Sequence, residues 1–414
     1  MDSSQVPVEL LAAAAAAEPP ERLELTRPAI VDAAIDGIER LRALGPAPAD
    51  GRFWPDAPVA LVGAGLHRLV VPRALGGLGA GAREMAVVQA ALGAVDGSAA
   101  IGLAMQHHVV GGALQSAAGS WPTALLEELL GGIVEHDGLV NTASAEERTG
   151  SPQRGALPET TARSTPDGGF RIDGAKAWVS WLPALRWVLL SARIGDDLGL
   201  ILVPTEAPGV EVDGRFPSLV MRASGSGHLR LRNVVVGEDR LVVRRAAGGP
   251  DPRGPAPMAW FGLAVAATYL GIGEGARTWI TAYARDRRPA DTGDSVASIP
   301  TVAVRLGRLD AALRAARIVV LETARRWDAA GHGGPEARAA LLDEVALAKV
   351  TATNAAVAAT DQALRIAGGP GLSEGPLERA FRDARAGLIH PPLDDVAYRG
   401  FARRLLDALV RSED

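Results

Sequence analysis

The chain of 414 residues contains no cysteine. Disulfides, thiolate metal sites and cysteine catalysis are thereby excluded. Aromatic residues make up only 4%, and no basic stripe interleaved with aromatics occurs. With a formal net charge of −5, this argues against a nucleic-acid partner. No metal-ligand spacing and no internal repeat is found. No uninterrupted apolar run approaches the roughly 18–20 residues of a membrane span. The early run Leu10-Leu-Ala-Ala-Ala-Ala-Ala-Ala17 follows Asp2 and Glu9 and no basic n-region, so it does not read as a signal peptide. A protein without membrane attachment, in a reducing compartment such as the cytoplasm, is the expectation.

What is present is an ordinary globular composition, 48% hydrophobic and 22% charged, long enough for two or three domains. Three textures follow one another. Residues 1–135 read as helical. In Val31–Leu44 the apolar residues Ile35, Ile38 and Leu41 fall at helical spacing, and Glu84–Val95 and Thr123–Leu130 repeat the pattern. Residues 136–245 carry short β-branched runs between turn residues: 170–173, 177–179, 187–190, 198–203, 210–212 and 229–236. They predict a small antiparallel β domain, with Asp173-Gly174 as a hairpin turn. Residues 246–414 predict a bundle of three long helices, 258–288, 302–330 and 336–366, followed by 376–386 and 394–411. The fold class is α+β, helical at both ends with the sheet between.

Several motifs carry chemistry. Ile366-Ala-Gly-Gly-Pro-Gly371, Leu377-Glu-Arg-Ala-Phe-Arg-Asp-Ala-Arg385 and Ile389-His-Pro-Pro-Leu-Asp-Asp-Val396 together resemble the C-terminal signature of the acyl-CoA dehydrogenase superfamily. Val71-Pro-Arg-Ala-Leu-Gly-Gly-Leu-Gly79 is similar to its Pro-x-x-x-Gly-Gly-x-Gly segment. Ala143-Ser-Ala-Glu-Glu-Arg-Thr-Gly-Ser151 resembles its Thr-Glu-Pro-x-x-Gly-Ser-Asp loop. Gly174-Ala-Lys-Ala-Trp-Val-Ser180 resembles Gly-x-Lys-x-Trp-Ile-Thr, and Tyr283-Ala-Arg-Asp-Arg-Arg288 resembles Tyr-x-x-x-Arg-x-Gln-Phe-Gly. The order of these segments is also that of the family.

The resemblance implies an FAD site. Trp178 would cover the flavin ring and Ser180 would bond its N5. Ala145 stands where the family has a threonine near the flavin. Arg287 would meet the pyrophosphate, Arg365 would replace a glutamine and could grip a phosphate, and Gly368 and Gly369 would approach the FAD of a neighbouring subunit. A homodimer or homotetramer is therefore implied. Ser151 would touch the substrate's pantetheine arm.

The same resemblance exposes a departure. The family abstracts an α-proton with a glutamate at the position held here by Pro391, which has neither a base nor an N–H. The alternative base position, on the first bundle helix, holds Phe261, and Gly262 replaces the adjacent arginine. Asp394 and Asp395 are candidate substitutes, although both sit where a helix N-terminus is expected. His390-Pro-Pro-Leu-Asp394 is similar in part to the His-x-x-x-Asp-Pro of flavin monooxygenases of the same fold, with His107 and His108 facing the same cavity in family members.

Three functions stay open. One is an FAD oxidoreductase acting on an acyl thioester of CoA or a carrier protein through a displaced base. The second is a monooxygenase using reduced FMN or FAD, supplied by a reductase, and oxygen. The third is a non-catalytic partner subunit.

Overall fold

The computed structural model describes residues 27–150, 156–289, 293–331 and 334–411. The Ala-rich segment at 10–17 and Ser151 lie outside the described residues. Five helices open the described chain: α1 Pro28–Ala43, α2 Asp56–Gly63, α3 Ala82–Gly93, α4 Gly97–Leu114 and α5 Thr123–His136. The strands follow: β1 Val140–Ala143, β2 Thr161–Ser164, β3 Phe170–Val179, β4 Trp187–Ile194, β5 Asp197–Pro204, β6 Val210–Asp213, β7 Gly227–Val236 and β8 Leu241–Ala246. Helices close it: α6 Ala256–Asp286, α7 Pro300–Ala330, α8 Gly334–Ala339, α9 Leu342–Ala367, α10 Pro376–Asp383 and α11 Asp394–Arg411.

Helix α1 forms for the reason its spacing gives. Pro28 starts it, and Ile30, Ala34, Ile38 and Leu41 make one buried face. Helix α4 is different. Asp96 caps it by accepting from Ala99 N at 2.9 Å, and residues 97–113 are all buried. With no polar face it has no amphipathic period, and the sequence reading passed over it.

Helix α6 runs through the middle of the bundle. By length and composition it could cross a membrane, but 89% of its most apolar window is buried inside the protein. It lies backbone to backbone against α3. A Cβ at Gly271 would stand 2.1 Å from the Ala90 carbonyl, and one at Gly93 2.4 Å from the Thr268 carbonyl. Only glycine allows so close a crossing. From α7, Asp328 reaches the N-terminus of α3 and accepts from Ala82 N and Arg83 N at 2.8 and 3.0 Å. The expected single helix 336–366 is broken at Ala340–Leu341 into α8 and α9.

The sheet has the order β6-β7-β3-β2-β4-β5-β8, with β1 beside β4. It is antiparallel except where β4 meets β1 and β2, which run parallel to it. Asp173-Gly174 is not the hairpin turn. It lies inside β3 at a register shift, where Asp173 Oδ1 accepts from Asn233 N at 2.8 Å. Gly174 is needed there because a Cβ would meet Thr160 at 2.6 Å. The turn between β2 and β3 is made by residues 165–169, closed by Thr165 N donating to the Gly169 carbonyl at 2.9 Å, with Gly168 at φ 83°.

Candidate functional site

Two groups of residues, one on the sheet and one in the bundle, carry the chemistry. The first begins with Glu146, at the root of the loop that follows β1. Its carboxylate is buried. It accepts from Lys176 Nζ (2.7 Å), Thr160 N (3.0 Å), Thr160 Oγ1 (2.7 Å), Glu159 N (2.8 Å) and Thr149 Oγ1 (2.8 Å). Burial works to raise its pKa, but these donors, Lys176 foremost, hold it down to about 2. Burial draws Lys176 down to about 8, so both partners are charged at neutral pH. The Ala145 carbonyl accepts from Ala177 N at 2.9 Å. The loop is thus fixed to β3 one residue before Trp178.

At Trp178 the β3–β7 register slips, between Lys176 and Val179, and φ is 59°. The slip turns the indole outward, where it remains 52% exposed. Trp181, also at positive φ, turns inward and is buried against Gly102. Ser180, two residues beyond Trp178, is buried. Its carbonyl accepts from Asn141 Nδ2 at 3.0 Å, and its hydroxyl stands 2.9 Å from Ser226 Oγ.

The second group surrounds His390. Helix α10 ends in a tight turn over 384–389, and His390 follows, with Pro391 next to it. Tyr269 and Phe261 reach it from α6. Tyr269 Oη is 3.0 Å from His390 Nδ1, and the Phe261 ring lies edge-on at 6.2 Å. His108 of α4 packs on the other side of Phe261 at 5.1 Å. His107 instead faces away and donates from Nε2 to the Leu66 carbonyl at 2.9 Å. Burial, then the charge of Lys349, push His390 down to about 4. Burial, with the charge of Asp383 adding to it, raises Tyr269 well above the ordinary phenol. The tyrosine therefore keeps its proton and His390 is neutral at pH 7.

Lys349 of α9 completes this corner. Its side chain is 0% exposed, and its nearest carboxylate oxygen is Asp394 Oδ1 at 3.6 Å. Asp394 Oδ2 accepts from Asn354 Nδ2 at 2.6 Å. The two candidate aspartates thus diverge. Asp394 is turned into the bundle against an amide and an ammonium, and Asp395 is exposed.

The remaining predicted residues lie at the ends of the bundle helices. Arg287 is exposed and follows the last turn of α6, where its N–H donates to the Tyr283 carbonyl. Arg365 is exposed and paired with Asp361 on its own helix at 2.7 Å. Gly368, at φ 65°, ends α9, and a Cβ at Gly368 or Gly369 would meet nothing within 4 Å. Gly262 is packed against Val345, whose Cγ1 would lie 2.5 Å from a Cβ there. An arginine at that place would have to part α6 from α9.

Sequence reasoning missed Lys349, Tyr269, Asn354, Asp383 and the serines 224 and 226. Lys349 left a signal. It sits in the buried stripe Val345, Lys349, Ala352, Ala356, Ala359, Ala363 of α9, where a charge among apolar residues at helical spacing marks a polar site. Asp383 ties the two groups together. From the end of α10 it accepts from Met221 N at 2.7 Å, and so holds the turn that leads to Ser224 and Ser226.

Burial, reinforced by the Asp96 charge, raises Asp383 to about 7 against the opposing pull of the Met221 N–H. The sign follows from its tighter hold on a proton in the folded state. Its contribution to stability is complete below about pH 4 and is lost as the pH rises toward about 7. Asp383→Asn keeps the acceptor and removes the titration. Denaturant midpoints of the two proteins at pH 5 and pH 8 are expected to differ, with the parent losing at least ~1 kcal/mol relative to the variant at the higher pH.

A flavin fits the first group. An indole with half its surface in water, at the end of a strand tied by a buried ion pair to the loop after β1, offers a flat aromatic platform of the kind an isoalloxazine covers. The fold and this platform define a flavin-dependent oxidoreductase with helical ends and a central sheet. Residues 141–234 match the family model of the acyl-CoA dehydrogenase middle domain, and residues 263–394 that of the acyl-CoA dehydrogenase C-terminal domain. YdbM of Bacillus subtilis strain 168, a protein named as an acyl-CoA dehydrogenase, is 31% identical over 86% of this chain and 91% of its own length. The chain belongs to the acyl-CoA dehydrogenase family, whose cofactor is FAD. Solved structures share the fold. Butyryl-CoA dehydrogenase of Megasphaera elsdenii has a TM-score of 0.76 at 19% identity, covering 98% of each chain. The dibenzothiophene monooxygenase TdsC of Paenibacillus sp. A11-2, solved with FMN and indole, has a TM-score of 0.73 at 24% identity, covering 96% of this chain and 94% of its own.

Proposed function

We propose that this protein is a monooxygenase of the acyl-CoA dehydrogenase fold, using reduced flavin and oxygen on a small organic substrate. One observation carries the reading. Both positions where the family resemblance expects a carboxylate base are apolar, Pro391 and Phe261, and the polar group beside them is the neutral His390–Tyr269 pair. Asp394 is a poor substitute. Its Oδ2 already accepts from Asn354 Nδ2 at 2.6 Å, and its Oδ1 faces the Lys349 ammonium at 3.6 Å. Asp395 points to solvent.

The balance is substrate plus oxygen plus two-electron-reduced flavin giving hydroxylated substrate, water and oxidised flavin. A separate reductase supplies the reduced flavin. The bound flavin supplies the two electrons and the oxygen-activating chemistry. The residues do the rest. Trp178 packs one ring face. Phe261, Pro391 and His108 keep bulk water from the reacting corner. His390 and Tyr269 hold one proton each, and Tyr269, whose only described partner is Nδ1, donates to it. The second proton of the pair is then on Nε2, and the ring also makes a hydrogen bond with the Ala386 backbone.

A second reading has one observation in its favour: YdbM, at 31% identity, bears a dehydrogenase name. One experiment separates the two. The purified flavoprotein is mixed with butyryl- and octanoyl-CoA under nitrogen, and in parallel is given a flavin reductase, NADH and air with a panel of aromatic and alicyclic substrates. The expected result is no bleaching of the flavin by either thioester and substrate-dependent oxygen uptake that requires the reductase. Rapid anaerobic bleaching would overturn the monooxygenase reading.

A further inference from the structure

Beside Trp178 lie three serine hydroxyls in a row. Ser180 Oγ is 2.9 Å from Ser226 Oγ, which is 2.7 Å from Ser224 Oγ. Ser224 is 0% exposed, and Ser226 and Ser180 are each 7% exposed. Their backbone is locked. The Ser224 carbonyl accepts from Trp181 N at 2.8 Å, and Ser224 N donates to the Met221 carbonyl at 3.0 Å. The hydroxyls therefore keep their spacing.

Three hydroxyls carry three protons, and the two bonds between them use two. The third proton is carried by Ser224, by Ser180 or, when both ends donate to it, by Ser226. On Ser224 or Ser226 it would be buried, and among the described residues neither hydroxyl has a hydrogen-bond partner outside the row. A buried donor without an acceptor is strongly disfavoured. On Ser180 it lies two residues from the exposed indole, where the flavin of the proposed site would bring an acceptor. The row is thus polarised: Ser224 donates to Ser226, Ser226 donates to Ser180, and Ser180 donates outward.

We infer that Ser226, itself oriented by Ser224, is a positioning residue that fixes the Ser180 hydroxyl as an outward donor to the flavin lying against Trp178. The inference rests on the flavin site but not on the choice between oxygenation and dehydrogenation. An oxidised flavin presents acceptor nitrogens and oxygens along its ring edge, and an outward O–H matches them. Without Ser226 the Ser180 hydroxyl loses the donor that sets its direction, and it rotates freely or turns its proton inward.

The test is a double-mutant cycle on FAD affinity, read by quenching of flavin fluorescence with the full chain. Ser180→Ala and Ser226→Ala are each expected to weaken oxidised FAD roughly fivefold, the equivalent of one neutral hydrogen bond. The double variant is expected to bind no more weakly than Ser180→Ala alone, because both changes remove one interaction. Ser226→Thr keeps the hydroxyl and is expected to retain the parent affinity, which also answers the case in which Ser226→Ala does not fold. A further fivefold loss for Ser226→Ala in the Ser180→Ala background would overturn the proposal, as would parent-like affinity of the single Ser226→Ala protein. A parent protein that takes up no FAD would remove the flavin site itself, and that outcome is read before any variant is made.

Discussion

His390→Ala is expected to lower substrate oxygenation by roughly 100-fold or more, the usual scale for a lost acid–base or hydrogen-bonding catalyst, while oxygen is still consumed. The two quantities separate because reduced flavin reacts with oxygen whether or not the product is made. In the variant, oxygen plus reduced flavin yields oxidised flavin and hydrogen peroxide. Peroxide should then account for the oxygen used, whereas in the parent the hydroxylated product accounts for it. The physical basis is the environment of the imidazole. Burial and the Lys349 charge keep it neutral down to about pH 4, and Tyr269 fixes its orientation from 3.0 Å. A neutral, oriented imidazole is what survives between the apolar Pro391 and Phe261. Tyr269→Phe should move the enzyme the same way but less far, since it loosens the ring and leaves it in place. FAD affinity should change by less than about threefold in both variants, the range of a group that makes no neutral hydrogen bond to the flavin. Unchanged product yield in His390→Ala would remove His390 from the chemistry.

The gross order of helices, strands and helices was legible because the two periods differ and because turn residues punctuate them. The motif that includes Lys176, Trp178 and Ser180 was visible because its pieces are local, within five residues at the end of β3. What was hidden depends on tertiary partners. Helix α4 is buried on every side, so no face stood out. Asp173-Gly174 has the composition of a turn, but its Gly serves a bulge pressed against Thr160. The partnership of His390 with Tyr269 spans 121 positions, and that of Met221 with Asp383 spans 162. No window of sequence contains both members. Lys349 was the exception, because its place in the apolar stripe of α9 is visible in the sequence alone.

The second large effect concerns stability. Glu146→Ala is expected to destabilise the protein by about 3–5 kcal/mol, the range found when one partner of a buried ion pair is removed. Two losses combine. Lys176, whose side chain is wholly buried 2.7 Å away, keeps its charge without a counter-ion, or surrenders its proton. The N–H groups of Glu159 and Thr160 lose their acceptor, and the loop that carries Ala145 keeps only its backbone bond to Ala177 N on β3. Glu146→Gln leaves an acceptor oxygen and should fall between the two. Lys176→Met in the Glu146→Ala background should recover part of the loss, since it removes the stranded ammonium. The pH dependence has a fixed sign. A carboxyl held at about 2 against an ordinary value of 4.5 contributes stability that is fully present above about pH 4.5 and disappears as the pH falls toward about 2. Urea midpoints measured from pH 7 down to pH 3 should therefore drop more steeply in the parent than in Glu146→Ala, and the two curves should converge at the acid end. Parallel curves would mean that the pair adds nothing to folding. FAD affinity supplies an independent reading of the same loop. It should weaken in Glu146→Ala even at pH 7 and at temperatures where the protein remains folded, because the platform under Trp178 no longer has a fixed edge.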